Sequence, residues 1–288
     1  MLEMLPMLLT IDIGNTSIAF GCFRGKKLIR HWRLPTNDAT LNKLRKSLSK
    51  NILNPPSPPF NKGGRGGFEG ACISSVVPSI NSMIRKTLRN LFGCPLLFVT
   101  AKNAGIKIIH YNPKEVGADR LVNAIAAYRR YNRSLIIVDF GTATTFDYVT
   151  PRGEYAGGAI APGIEISNRA LSQMTAKLPK VEIKKTNRIV GRKTKESMQS
   201  GIFHGYVGLV DHLVKEMTKE VRTKPKVIAT GGLAPLIAKS TKTIESVTPF
   251  LTLEGLKIIW QRCRASDARH LIIKPHKSDA GTSHSDSA

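Results

Sequence analysis

Residues 135–149 read LIIVDFGTATTFDYV: an apolar run ending on Asp139, a tight turn of Gly and Thr, and a β-rich run that returns. Residues 8–23, LLTIDIGNTSIAFGCF, repeat the pattern. Aligned, Asp12-Ile13-Gly14-Asn15-Thr16 matches Asp139-Phe140-Gly141-Thr142-Ala143. Asp and Gly are common in turns, so one such hairpin would mean little. Two matched copies point to a duplicated unit, each half ending a buried strand in a small polar loop. Glycine lets a ligand approach the backbone closely, and exposed N–H and hydroxyl groups form an anion-binding concavity. An Asp beside such a loop suits a hydrated divalent cation riding on phosphates. The repeat therefore predicts a two-lobed nucleotide-binding protein.

The 288 residues suit one large or two ordinary domains, and 41% hydrophobic content argues for a packed core. A formal charge of +24 favours anionic partners but has no bearing on fold. Cys22, Cys72, Cys94 and Cys263 lie far apart with no metal-ligand spacing, as expected of reduced, mostly buried thiols. No apolar run approaches membrane-spanning length, and the first residues lack a signal-peptide pattern. The expectation is a soluble cytoplasmic protein with no membrane partner, for which Met4 or Met7 would serve equally well as a start.

In chain order, 26–33 predicts a third strand, and 36–53 a helix with Asp38 as its cap. Residues 54–70, NPPSPPFNKGGRGGFEG, read as a flexible Pro/Gly insert. A strand at 71–77, a helix at 78–92 and a short strand at 96–100 follow. Asp119 and Arg120 open an apolar-faced helix, where the positive dipole end favours an ionised carboxylate or a bound anion. Gly157 to Gly163 predicts another close-approach loop running into a helix at 164–174. Residues 177–195 set eight basic residues against the single acid Glu182, which reads as a solvated loop. A long helix at 196–221 carries Gly201, Gly205 and Gly208 on one side, suited to packing against another helix or subunit. A strand at 227–229 leads into a Gly turn, a last helix spans 251–260, and the tail from 263 to 288 reads as disordered.

Five segments occur together in order: Asp12-x-Gly-Asn-Thr16, Gly117-Ala-Asp-Arg120, Asp139-Phe-Gly-Thr-Ala-Thr-Thr145, Gly157-Gly-x-Ile-x-Pro-Gly163 and Thr230-Gly-Gly-Leu233. In this respect the chain resembles the type III pantothenate kinases. The resemblance implies the acetate kinase/Hsp70/actin superfold, α/β, with two RNase H-like lobes, each a mixed sheet flanked by helices, and the nucleotide in the cleft between them. The lobes would span 7–118 and 119–262. It implies ATP-dependent phosphorylation of pantothenate to 4'-phosphopantothenate, the first step towards coenzyme A, with Mg2+ and an activating monovalent cation (K+ or NH4+).

Carried over residue by residue, the resemblance gives the ATP phosphates to Asp12, Ile13, Gly14, Asn15, Thr16, Ser17, Ile18 and Ala19, with Asp12 helping to place Mg2+. Thr142 would also contact ATP, Asp139 would hold the monovalent cation, and Gly231 and Gly232 would turn beside the adenosine. Tyr111, Gly117, Ala118, Asp119 and Arg120 would form the pantothenate site, with Asp119 as the proton acceptor. Thr194 matches a substrate contact supplied from a neighbouring subunit, which implies a homodimer with the substrate site at its interface. A helix-N-terminal Asp of low pKa would suffice as base, because a loose transition state needs no strong one.

One departure touches the site. The family's Tyr stands three residues before the Pro of the Gly117–Arg120 segment, where this chain has His110 with Tyr111 next to it. Another sugar or acid kinase is disfavoured by that same segment. The alternative of a different class is a nucleic-acid-binding transcriptional accessory factor, suggested by the charge. Nucleic acid is disfavoured as a partner because no helix-turn-helix, zinc or RNA-binding signature accompanies that charge.

Overall fold

A computed structural model describes residues 6–53 and 67–266. Residues 54–66 of the expected insert and 267–288 of the expected tail lie outside the described residues. Both hairpins form where the sequence puts them. β1 (Met7–Ile13) pairs antiparallel with β2 (Ser17–Arg24), and β6 (Leu135–Phe140) with β7 (Ala143–Val149). β1 and β6 are covered on both faces, which is why they read as continuous apolar runs rather than alternating ones.

Each hairpin organises a five-stranded mixed sheet. In the first, β3 (Lys27–Pro35) runs antiparallel to β2, while β4 (Phe68–Ser75) is parallel to β1 and β5 (Leu96–Phe98) to β4. In the second, β8 (Tyr155–Pro162) is antiparallel to β7, β9 (Lys226–Gly231) parallel to β6, and β10 (Ser246–Val247) parallel to β9. The orders β3-β2-β1-β4-β5 and β8-β7-β6-β9-β10 coincide strand for strand. The duplication therefore extends from the hairpins to the whole sheets.

Helices fill three layers around the two sheets. α1 (Leu41–Leu48) and α2 (Asn81–Phe92) close the outer face of the first sheet, burying Leu44, Leu48, Ile84 and Leu88 against Leu9, Ile11 and Ile13. α3 (Ala101–Ala104) is a single capped turn. α4 (Ala118–Tyr131) and α8 (Leu251–Ala265) form the middle layer, where Leu121, Val122, Leu256 and Trp260 share a core with Leu8 and Cys72 of one sheet and Ile137 and Val149 of the other. α5 (Ile164–Gln173), α6 (Thr194–Val221) and α7 (Ala234–Ala238) close the outer face of the second sheet around Phe146, Phe203 and Ile237. Burial of a side chain such as Trp260, 1% exposed, contributes roughly 3 kcal/mol, so the middle layer fastens the two sheets to each other.

Several local expectations need correction. Thr40, not Asp38, caps α1: its side chain accepts from the Lys43 N–H, while Asp38 sits in a preceding 3-10 turn paired with Lys43. β4 starts at Phe68, so Phe68, Glu69 and Gly70 belong to the sheet and not to the insert; Phe68 is buried against Phe92. The stretch from Gly157 is strand β8 and not a loop. At Gly158 a Cβ would strike the Phe146 carbonyl at 1.7 Å, so only glycine lets this strand pair at its register shift. α8 continues through Cys263, which is buried, to Ala265, and so enters the stretch expected to be tail. α8 also packs against β1, β2 and β4, so the last described helix returns to the first sheet.

Candidate active site

The carboxyl ends of β1 and β6 face each other across the cleft. Asp12 ends β1 opposite Ala19 and alongside Ser74 of β4; Asp139 ends β6 opposite Thr145 and alongside Thr230 of β9. Beyond them the two turns meet, with Thr16 Oγ1 2.8 Å from Thr142 Oγ1. The first turn is braced from β3's end, where Thr36 donates its hydroxyl to the Gly14 carbonyl and its N–H to Thr16. Gly231, at φ +94°, turns beside Asp139, and a Cβ there would lie 2.7 Å from Asp139 Oδ1.

α4 brings the third carboxylate. Its first turn carries Asp119, which accepts the Arg120 N–H at 2.8 Å, and one turn later Asn123 lies on the same face. Asn123 is 1% exposed; it donates to Asp139 Oδ2 at 2.9 Å and accepts from Thr252 of α8 at 2.8 Å. The middle helices thus pin the second hairpin's aspartate, whereas Asp12 Oδ1 and Ser74 Oγ are buried without a hydrogen-bond partner.

Electrostatics follow from this crowding. Burial pushes Asp12 up to about 7, with Asp119 and Asp139 adding repulsion that the Ser74 hydroxyl and Arg33 only partly offset. Asp139 is also pushed up to about 7, by burial first and Asp119 second. Asp119 lies above the usual carboxylate range because burial outweighs the Arg120 N–H and guanidinium. This corrects the low-pKa base expected from the helix dipole alone: the first turn of α4 is enclosed between the sheets rather than solvated.

Arg120 turns away from Asp119 into a second cluster. It is 6% exposed, and its Nε donates to Asp147 Oδ1 at 2.7 Å. The fully buried Asp147 also accepts from Tyr155 Oη at 2.8 Å and Thr145 Oγ1 at 3.0 Å. Tyr111 joins this group: its ring stands edge-on to Tyr155 and its hydroxyl favours the charged Arg120. His110, at φ +57°, makes the turn that puts Tyr111 there.

The structure therefore brings together Asp12 to Ala19, Thr142 and Asp139 on one side of Asp119, and Tyr111 and Arg120 on the other. Gly117 and Ala118 open α4 between them. Thr194 is exposed at the start of α6, and no hydrogen bond joins it to these groups among the described residues. Ile189, Val190 and Met174 are also exposed, and open space lies beyond Gly201, Gly205 and Gly208 of α6.

Sequence reasoning missed Asp147, Asn123, Thr252, Ser74 and Arg33. Asp147's signal was an acid inside the apolar run FDYV. A cleft of about 50 Å3 beside Asp12 is lined by His31, Arg33, Phe250 and Thr252; a groove of about 770 Å3 lies on the other side of α4, past Ile125 and Tyr128. Among the described residues no cluster of His, Cys, Asp or Glu is close enough to cage a metal by itself, and no helix is long and apolar enough to cross a membrane.

The family model for type III pantothenate kinase matches residues 8–216. A type III pantothenate kinase of Geobacter sulfurreducens is 49% identical over 261 residues, covering 90% of this chain and 100% of that one. One of Pelobacter propionicus is 47% identical over the same length, covering 90% and 100%. Among solved structures, one described as a Baf family transcriptional activator from Campylobacter jejuni superposes with a TM-score of 0.51 at 18% identity, covering 89% of this chain and 98% of that one. The ethanolamine utilization protein EutJ of Carboxydothermus hydrogenoformans gives 0.52 at 14%, covering 88% and 90%. At such identities the likeness is one of fold, and it lends the nucleic-acid alternative nothing.

Proposed function

The chain belongs to the type III pantothenate kinase family, and from that premise we propose which of its residues carry the reaction. The enzyme phosphorylates pantothenate with ATP, on the actin/Hsp70-like fold whose duplicated sheets are described above. Phosphoryl transfer asks a protein for positioning and charge neutralisation more than for covalent help. The turn from Asp12 to Ala19 holds the ATP phosphates through its backbone N–H groups and the hydroxyls of Thr16 and Ser17, and Thr142 reaches them from the opposite turn. Arg33, 3.4 Å from Ser17 Oγ, adds positive charge there.

Mg2+ fits the first hairpin. It prefers one or two carboxylates together with waters and phosphate oxygens, and the partnerless Asp12 Oδ1 beside Ser74 Oγ offers such a ligand edge. Bound there, Mg2+ would neutralise phosphate charge. Asp139, oriented by Asn123, is the ligand for the monovalent cation. Asp119 accepts the proton of the attacking hydroxyl, and its raised pKa makes it a better base than a solvated carboxylate. Arg120 and Tyr111 bind pantothenate. Thr194 serves the site of a second copy in a homodimer, a reading supported by the exposed Ile189, Val190 and Met174 and the open glycine side of α6.

The observation that carries this reading is the convergence of Asp12, Asp119 and Asp139 from β1, α4 and β6, with Asp119 close enough to raise the pKa of both others. It is tested by ADP release with ATP and Mg2+, with and without pantothenate. Release that depends on pantothenate is expected. Release indifferent to pantothenate, or none from folded protein, would overturn the reading.

A further inference from the structure

A buried guanidinium cannot shed its proton, so it needs a counter-charge and partners for its N–H groups. Arg120 has the first in Asp147, and Tyr111 adds a side-chain hydrogen bond. The guanidinium Nε is held, while Nη2 is buried without a hydrogen-bond partner. Asp147 is fully occupied: Oδ1 takes Arg120 Nε and Tyr155 Oη, and Oδ2 takes Thr145 Oγ1. Tyr155 also lies beneath the guanidinium, 5.7 Å from ring centroid to Cζ, and is itself completely buried. Asp147 of β7 therefore holds Nε and is itself held by Tyr155 of β8, while Nη2 is left without a partner.

We infer that Asp147 is a positioning residue for the reaction, acting through Arg120 with Tyr155 as its second anchor, and that the unpaired Nη2 is the guanidinium's contact for the substrate's carboxylate. The inference rests on the pantothenate kinase reading. Pantothenate carries a single carboxylate, and guanidinium recognises that group better than any other side chain does. Asp147 supplies the fixed orientation that makes recognition selective, and it touches no reacting atom.

The test compares pantothenate with its primary amide, which has the same length but lacks the charge, in wild type, Asp147→Asn, Tyr155→Phe and Arg120→Lys. Asp147→Asn should raise KM for pantothenate by about 10- to 100-fold, leaving KM for ATP within about twofold and kcat within about threefold. For the amide, its effect on KM should stay under about threefold. Tyr155→Phe, which keeps the buried ion pair and so the fold, should move the same parameter in the same direction by about three- to tenfold. The Arg120→Lys, Asp147→Asn double variant should be no worse than Arg120→Lys alone, because the two residues act as one unit. Equal losses for acid and amide, additive losses in the double variant, or a Tyr155→Phe enzyme with unchanged KM would each overturn the positioning role while leaving the kinase reading intact. A wild type that transfers no phosphate to pantothenate would overturn both.

Discussion

The hairpins β1–β2 and β6–β7 share an antiparallel pairing, with the first turn one residue longer, an aspartate one residue before the turn and a hydroxyl residue alongside it on the parallel neighbour, yet their aspartates are treated differently. Asp139 is fastened through Asn123 to Thr252, that is, to both helices of the middle layer. Asp12 receives no such clamp: the Ser74 hydroxyl beside it favours its charged form, and no well-formed hydrogen bond holds its Oδ1. The difference comes from α4, which the chain places after the first sheet and before the second. Its first two turns deliver Asp119 towards both carboxylates but Asn123 only to Asp139. Duplication thus produced two similar loops, and a single unduplicated helix made them unequal. We read the clamped copy as the monovalent site and the unclamped one as the place for a divalent cation on the nucleotide.

Asp119 belongs to neither copy, so its removal is the largest expected effect. Asp119→Asn should fold and bind ATP but lose about 10^3-fold in kcat, in keeping with the loss of a general base. Because Asp119 repels both Asp12 and Asp139, that variant should also make both hairpins bind cations less dependent on pH. Turnover near wild type would remove Asp119 from the chemistry.

A smaller effect concerns stability. Asp12 titrates near 7 in the folded, ligand-free protein against 3.8 when free, so between those values the native state binds the extra proton. The stability tied to that proton is complete below about pH 4 and is lost as pH rises through 7. Asp12→Asn removes the charge that burial disfavours. Ligand-free Asp12→Asn should therefore melt about 2–6 °C above wild type at pH 8 and level with it near pH 4, as followed by thermal unfolding. A variant less stable at pH 8 would mean that the unclamped carboxylate is already compensated.

The frame of this molecule was legible because the two hairpins announce themselves locally: an apolar run, Asp-x-Gly, and a second β-rich run. The start of α4 was legible for the same reason, as Asp119 and Arg120 stand where a capped helix would begin. What escaped notice depends on pairing between distant segments. Asp147 alternates with Phe146 and Tyr148 in a strand, where an acid usually signals the solvent side; only the later arrival of Arg120 and Tyr155 makes it a core residue. Asn123 looks like a stray polar position in an apolar helix until Asp139 and Thr252 flank it. Gly157 and Gly158 suggested a loop, because turn chemistry and a bulged strand use the same residue. The end of α8 was missed because Cys263 lies in a polar stretch, and its burial depends on Cys72 of the first sheet.

The most direct test of the unequal pair is a cation titration of pantothenate-dependent turnover in wild type, Asp12→Asn and Asp139→Asn, varying Mg2+ at fixed K+ and then K+ against Na+ at fixed Mg2+. The account predicts that Asp12→Asn needs at least tenfold more Mg2+ while keeping its preference for K+, and that Asp139→Asn loses that preference while its Mg2+ requirement moves by less than about threefold. Identical shifts in both cation dependences for the two variants would contradict it, and the two hairpins would then form one shared site.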